Sequence, residues 1–161
     1  MPVSVWRRGM RDHADPPPLP EVSEARRERL IATFFATVGL AVFLLAACID
    51  PYDDTGRPRT HGTHQQLGLP ACTLRSLTGV GCPSCGMTTA FSLFVHADPA
   101  AAWNANWAGC VIAVLGLVTT GWFLAVAAGL PPGRLTADEV VKLTCATGTG
   151  LAVVRWLATL A

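Results

Sequence analysis

The sequence predicts an all-α integral membrane protein with three transmembrane helices and a short interfacial or re-entrant helix in an outer loop. Three observations predict it. Of 161 residues, 51% are hydrophobic and only 14% charged, and the mean hydropathy is +0.40, which is too apolar and charge-poor for an ordinary soluble domain of this size. Uncharged stretches recur at about the length that crosses a bilayer. Basic residues are segregated, since six of the twelve (Arg7, Arg8, Arg11, Arg26, Arg27 and Arg29) precede residue 30.

The first span is expected at 30–49, where "LIATFFATVGLAVFLLAACI" carries no charge. About 20 residues at ~1.5 Å rise cover a ~30 Å hydrocarbon core. The basic flank then places the N-terminus in the cytoplasm. A signal peptide is the competing reading, but its apolar part is usually only about 7–15 residues. "LAAC" at 45–48 resembles a lipoprotein cleavage box that would make Cys48 an acylated first residue; the long polar lead-in fits it poorly. Residues 1–29 read as a disordered basic cytoplasmic tail, because "DPPPLP" and mixed charges offer no periodic apolar face. Residues 30–161 form the membrane domain.

An outer loop is expected at 50–106, rich in Gly, Pro, Thr and His, which is turn chemistry. Within it "MTTAFSLFV" (87–95) is apolar but too short to span, so it reads as the interfacial or re-entrant helix. Trp103 and Trp107 would sit in the aromatic belt. The second span runs 107–130, uncharged and stopped by Pro131-Pro132-Gly133. Its Gly121, Ala125 and Gly129 recur every four residues, a small-residue stripe that serves close packing or a homo-oligomer or membrane-protein partner. The third span, 139–160, contains Lys142 and Arg155 near its ends, where long basic side chains snorkel to headgroups. The outer loop carries only Arg57, Arg59 and Arg75, in keeping with this topology. With a formal net charge of +1 there is no field to recruit nucleic acid.

Cys72, Cys82 and Cys85 all fall in the outer loop, which in a bacterium faces an oxidising compartment. Cys85-Gly86 leads into the helical run at 87, where helix N–H groups favour a thiolate. Three readings stay open. Cys82 and Cys85 form an exchangeable C-x-x-C pair with Cys72 as a resolving thiol; or the three cysteines, completed by His61, His64 or His96, hold zinc; or a disulfide from Cys72 to Cys82 or Cys85 staples the loop. No strand-and-helix alternation of a thioredoxin-like domain surrounds the motif. Phosphate-loop, H-E-x-x-H and G-x-S-x-G motifs are lacking, "HGTH" (61–64) is a weak metal pair, and "TGTG" (147–150) reads as helix packing.

The stretch "LPACTLRSLTGVGCPSCGMTTAFSLFVHADPAAAWNAN" (69–106) resembles the domain-of-unknown-function 2752 family of small bacterial membrane proteins. The residues that carry the resemblance are Cys72, Leu77-Thr78-Gly79, Cys82-Pro83, Cys85-Gly86, Met87-Thr88, Ala90, Asp98 and Asn106. Thr89 stands where the family usually has Arg, and Trp107 follows Asn106 where Pro is common. An Arg at 89 could pair with a thiolate or an anion and Thr cannot; Thr88 and Thr89 are expected to cap the helix instead. The resemblance implies that the cysteines belong together and supplies no activity.

The leading functional reading is an uncharacterised, non-enzymatic multi-pass protein of a bacterial inner membrane, with a cysteine-centred structural or binding site on its outer face. The alternative is thiol-disulfide or metal handling by the CPSCG motif.

Overall fold

The computed structural model describes residues 23–131 and 133–160; the tail expected over residues 1–22 lies outside them. Helix α1 spans Glu24–Cys48. Its apolar run contains no proline, and it stops where Pro51 disfavours helical backbone at Asp50. It begins at Glu24 rather than Leu30, so the last part of the expected tail is helix. The sequence EARRER explains this, since Glu, Ala and Arg are strong helix formers that carry the span beyond its apolar section.

Three more helices precede the C-terminal one: α2 (Thr73–Thr78), α3 (Met87–Val95) and α4 (Pro99–Ala127), and α5 (Ala137–Ala158) closes the chain. Helices α1, α4 and α5 are each long and apolar enough to cross a membrane. The expected second span, 107–130, is thus displaced at both ends. Helical backbone starts at Pro99, pauses at Asn106, whose φ of −161° and ψ of 99° are extended, and ends at Ala127. Gly129 lies past that end with φ +97°, so it does not continue the stripe of Gly121 and Ala125. The third span sits slightly earlier than 139–160 because Thr136 and Glu139 form a reciprocal capping box that fixes its start.

The bundle interior combines small and β-branched residues with one aromatic ring. Ala32, Ala36, Phe123, Val126, Ala137 and Val140 are buried together, and a side chain at Gly39 would collide with Thr120, so α1 and α4 approach closely there. The large apolar side chains point the other way: Phe34, Leu44 and Val118 are each more than 60% exposed. Such an outward apolar surface is stable against lipid, not water. At one end, Arg27 pairs with Asp138 at 2.9 Å and the Glu28 carboxylate accepts the Ala137 N–H at 2.9 Å, so the start of α1, the end of α4 and the start of α5 meet. Residues 49–106 occupy the opposite end.

There the chain is built from short pieces. A bridge joins Tyr52 and Pro58, a 3-10 turn covers Thr63–Leu67, and α3 folds back on the first part of α4 around Ala90, Leu93, Ala102, Ala105 and Cys110. Gly109 makes that contact close, because a Cβ there would lie 3.0 Å from Ala90 Cβ. The short helix expected at 87–95 is therefore α3, and its partner is the front of α4, a segment expected to belong to the outer loop.

Candidate functional site: the cysteine turn and its supports

Cys72 immediately precedes α2 and opens the site. The amide N–H groups of Arg75 and then Cys82 turn toward its sulfur and, against an opposing effect of burial, pull its thiol from 9.0 to about 7. The Cys82 thiol and the Leu74 N–H act in the same direction. These are dipole interactions with the helix start rather than a short side-chain cap bond. Cys82 moves the opposite way. Burial raises its pKa first, and donation of its S–H to the Cys72 thiolate raises it further. One sulfur is thus primed as thiolate and its neighbour is held as thiol.

Thr78 and Gly79 end α2 and set the approach to Cys82. The Thr78 hydroxyl donates to Leu74 O at 2.7 Å, and Gly79 takes the left-handed conformation at φ +76°. Pro83 and Ser84 then make a turn in which the Cys85 N–H donates to Cys82 O at 2.9 Å. Cys85 lies beside Arg75, whose Nη1 is 4.0 Å from its sulfur. All six cysteines are free thiols here, with Cys48 and Cys145 exposed along the spans.

Gly86 is the pivot beneath the turn. Its φ is +82°, and a Cβ would lie 2.9 Å from Thr60 O and 3.0 Å from Ala105 O. No other residue fits that backbone and that space. Helix α3 has no side-chain cap, so the capping expected of Thr88 and Thr89 is not what these residues do. Thr89 is buried and shares a 3.0 Å hydrogen bond with Thr63, tying α3 to the 3-10 turn, while Thr88 lines the cleft beside the cysteines.

Asn106 ties the turn to the membrane helix. It is 1% exposed; its Nδ2 donates to Cys85 O at 3.1 Å and its Oδ1 accepts the Gly109 N–H at 2.9 Å. The second bond has the geometry of an N-cap, so Asn106 restarts the helix after the kink. Trp107 stands at the first helical position, where proline is favoured after a cap, and the Asn106 cap forms with Trp there. Asp98 does the same work for the front segment, accepting the Ala101 N–H at 3.0 Å with Pro99 behind it. At the kink, Ala105 O receives Arg155 Nη2 at 3.4 Å.

The structure gathers Cys72, Thr78, Gly79, Cys82, Pro83, Cys85, Gly86, Thr88 and Asn106 around the turn; Asp98 stands apart, at the tip of the α3–α4 hairpin. The histidines are otherwise engaged, each placing a ring nitrogen near a neighbouring oxygen: Thr60 Oγ1 for His61, Pro70 O for His64 and Ser92 O for His96. Among the described residues no group of three or more His, Cys, Asp or Glu is disposed to hold a metal ion. Sequence reasoning missed Thr63, Ser92, whose hydroxyl donates to Ile49 O at 2.6 Å, and Trp156, whose indole donates to Gly81 O at 3.0 Å. Hydroxyls inside the apolar run 87–95 were the available signal, since a buried hydroxyl needs a partner.

No curated protein and no solved structure matches the chain. Residues 72–120 match the family model described as "Protein of unknown function (DUF2752)", so the segment from Cys72 through the cysteine turn and the Asn106 kink to Thr120 is similar to that family.

Proposed function

We propose that this is a multi-pass protein of a bacterial inner membrane, N-terminus in the cytoplasm, whose outer segment carries a thiol-disulfide exchange pair made of Cys72 and Cys82. The observation that carries this reading is that Cys72 and Cys82 lie beside each other on one cleft, and the opposed shifts of their thiols, Cys72 down to about 7 and Cys82 upward, support it. A thiolate near neutral pH is the competent attacking group, and exchange needs a second sulfur within reach. Both line a cleft of about 480 Å³ that Leu69 and Leu74 make partly apolar, a fit for an extended peptide bearing cysteine.

The Cys72 thiolate attacks one sulfur of a partner disulfide. That S–S bond breaks, a mixed disulfide forms, and the released partner thiolate takes up a proton. Cys82 then loses its proton and attacks the Cys72 sulfur, expelling the second partner thiolate. The partner is reduced by two electrons and the Cys72–Cys82 pair is oxidised by two. Run in reverse, the same steps place a disulfide in a dithiol partner.

A second reading keeps the protein non-enzymatic, with the same pair as a staple. It is favoured by the placement of Cys72 before α2 and Cys82 at the start of the CPSC turn, since a bond there would close residues 72–82 and stabilise the loop by about 3 kcal/mol. Equilibration of the purified protein in glutathione buffers, followed by peptide mapping, separates the two. Exchange predicts a Cys72–Cys82 bond with a potential above about −300 mV, and a staple one below it. A bond between Cys82 and Cys85 instead would overturn both.

A further inference from the structure

A second recess opens on the other side of Cys85 from the thiol cleft. It has a volume of about 360 Å³, and its lining includes Arg75, Arg155, Thr60 and His61 with no Asp or Glu. Arg75 reaches it from α2, with Nη1 at 4.0 Å from Cys85 Sγ. Arg155 reaches it from the last turn of α5, half-buried, and among the described residues its guanidinium has one hydrogen-bond partner, the long 3.4 Å contact to Ala105 O. A guanidinium carries five N–H donors, so that contact leaves most of its hydrogen-bonding capacity unspent. The single ion pair among the described residues is Arg27–Asp138, at the opposite end of the molecule.

Two guanidinium groups turned into one recess without a carboxylate repel each other unless an anion joins them. Burial and the nearby Arg75 both lower the pKa of His61, so it sits at the rim as a neutral hydrogen-bonding ring. Arg155 stands in the last turn of α5, where a long basic side chain extends toward the polar end of a membrane-crossing helix. The Trp156 indole bonded to Gly81 O holds the last turn of α5 against the loop that forms the recess wall, which keeps Arg155 and Arg75 facing the same space. The recess also lies at the end of α5, a helix long and apolar enough to cross a membrane, which would bring it near lipid headgroups.

We propose that Arg75 and Arg155 form a binding site for a phosphate group, supplied either by an anionic lipid headgroup or as a free phosphate. Planar N–H pairs match phosphate oxygens two at a time, and a pair of them balances a charge of one to two. The site is separate from the Cys72–Cys82 chemistry and stands whether or not that pair exchanges disulfides.

The test uses the full chain in a maltoside micelle, which contains no phosphate. Its unfolding midpoint is followed against inorganic phosphate in one series and against short-chain phosphatidylglycerol in another, with sodium chloride at matched ionic strength as the reference. A midpoint raised by inorganic phosphate assigns a free-phosphate site, and one raised by phosphatidylglycerol alone assigns a lipid headgroup site; either supports the proposal. In both cases Arg75→Gln, an exposed position on a short helix, weakens the apparent affinity by about tenfold, and Arg155→Gln does the same if it folds. The proposal is overturned if neither probe raises the midpoint, if Arg75→Gln binds as the parent does, or if Arg57→Gln, outside the recess, weakens binding equally.

Discussion

The two ends of this chain's fold obey different rules. The spanning bundle of α1, α4 and α5 is held by alanines, two valines, the ring of Phe123 and one close glycine contact, and most of its large side chains face outward. Residues 49–106 are held by buried polar pairs and by glycines that admit no side chain, namely Thr63 with Thr89, Ser92 with Ile49 O, Asn106 with Cys85 O and Gly109 N, and Gly86 under the turn. In lipid there is little hydrophobic gain from bringing helices together, so small residues and close approach do that work. Outside the spans the α3–α4 hairpin has an apolar cluster of Ala90, Leu93, Ala102 and Ala105, but no residue of the 72–85 segment belongs to it. Specific hydrogen bonds and backbone geometry fix the cysteine turn instead.

Substitutions should expose that contrast. The largest effect is expected at Gly86→Ala, which forces a left-handed alanine and a Cβ against two carbonyls, at about 3 kcal/mol or more. Gly121→Ala, where a Cβ would meet nothing within 4 Å, should stay within about 0.5 kcal/mol. Thermal unfolding in detergent compares the two directly, and equal losses would erase the distinction between the ends.

Asn106→Ala follows. It strands the Cys85 carbonyl and the Gly109 N–H together and removes a helix cap, for an expected loss of about 2–4 kcal/mol. Asp98→Ala removes only one cap and should cost about 1 kcal/mol. If Asp98→Ala proved the worse of the two, the kink would not be what seats the turn.

Ser92→Ala should cost about 1–3 kcal/mol, since it leaves Ile49 O without its hydroxyl donor. At the other end the Arg27–Asp138 pair, with both side chains largely exposed, should show a coupling of no more than about 0.5 kcal/mol in a double-mutant cycle. A larger coupling there would mean that the bundle end is also set by polar contacts.

How far the sequence was readable follows the same divide. The spans were legible because lipid solvation depends on composition and length, which Leu30 to Ile49 and Trp107 to Ala127 display directly. Their ends were less so, because caps set them. Thr136 with Glu139 and Asp98 with Pro99 are cap signatures that move α5 and α4 toward the N-terminus, and Glu24 to Arg29 continue α1 through helix propensity and the contacts of Arg27 and Glu28 with the start of α5. In the site, the cysteines and the glycines of the motif could be named in advance. The Thr63–Thr89 bond and the reach of Arg155 to Ala105 could not, since each joins residues 26 or 50 positions apart. The roles of Asp98 and Asn106 fell between these cases: both were marked by the family resemblance, and only backbone geometry identifies them as the N-caps of the two helical segments that the kink at Asn106 divides.

The central claim is that Cys72 is the primed thiolate and Cys82 its partner. Its direct test is site-resolved alkylation of the reduced protein across a pH series, read by peptide mass spectrometry. A folded pKa of about 7 against an ordinary 9.0 means that Cys72 reactivity rises through neutral pH, with half the sulfur as thiolate near pH 7 where an unperturbed thiol has about one in a hundred. The same shift, being a depressed pKa, adds stability fully above about pH 9, less between 9 and 7, and none below 7. The account predicts that Cys72 is modified first with a midpoint near 7 and that Cys82 lags behind it. Cys82 or Cys85 reacting first, or a Cys72 midpoint near 9, would contradict it.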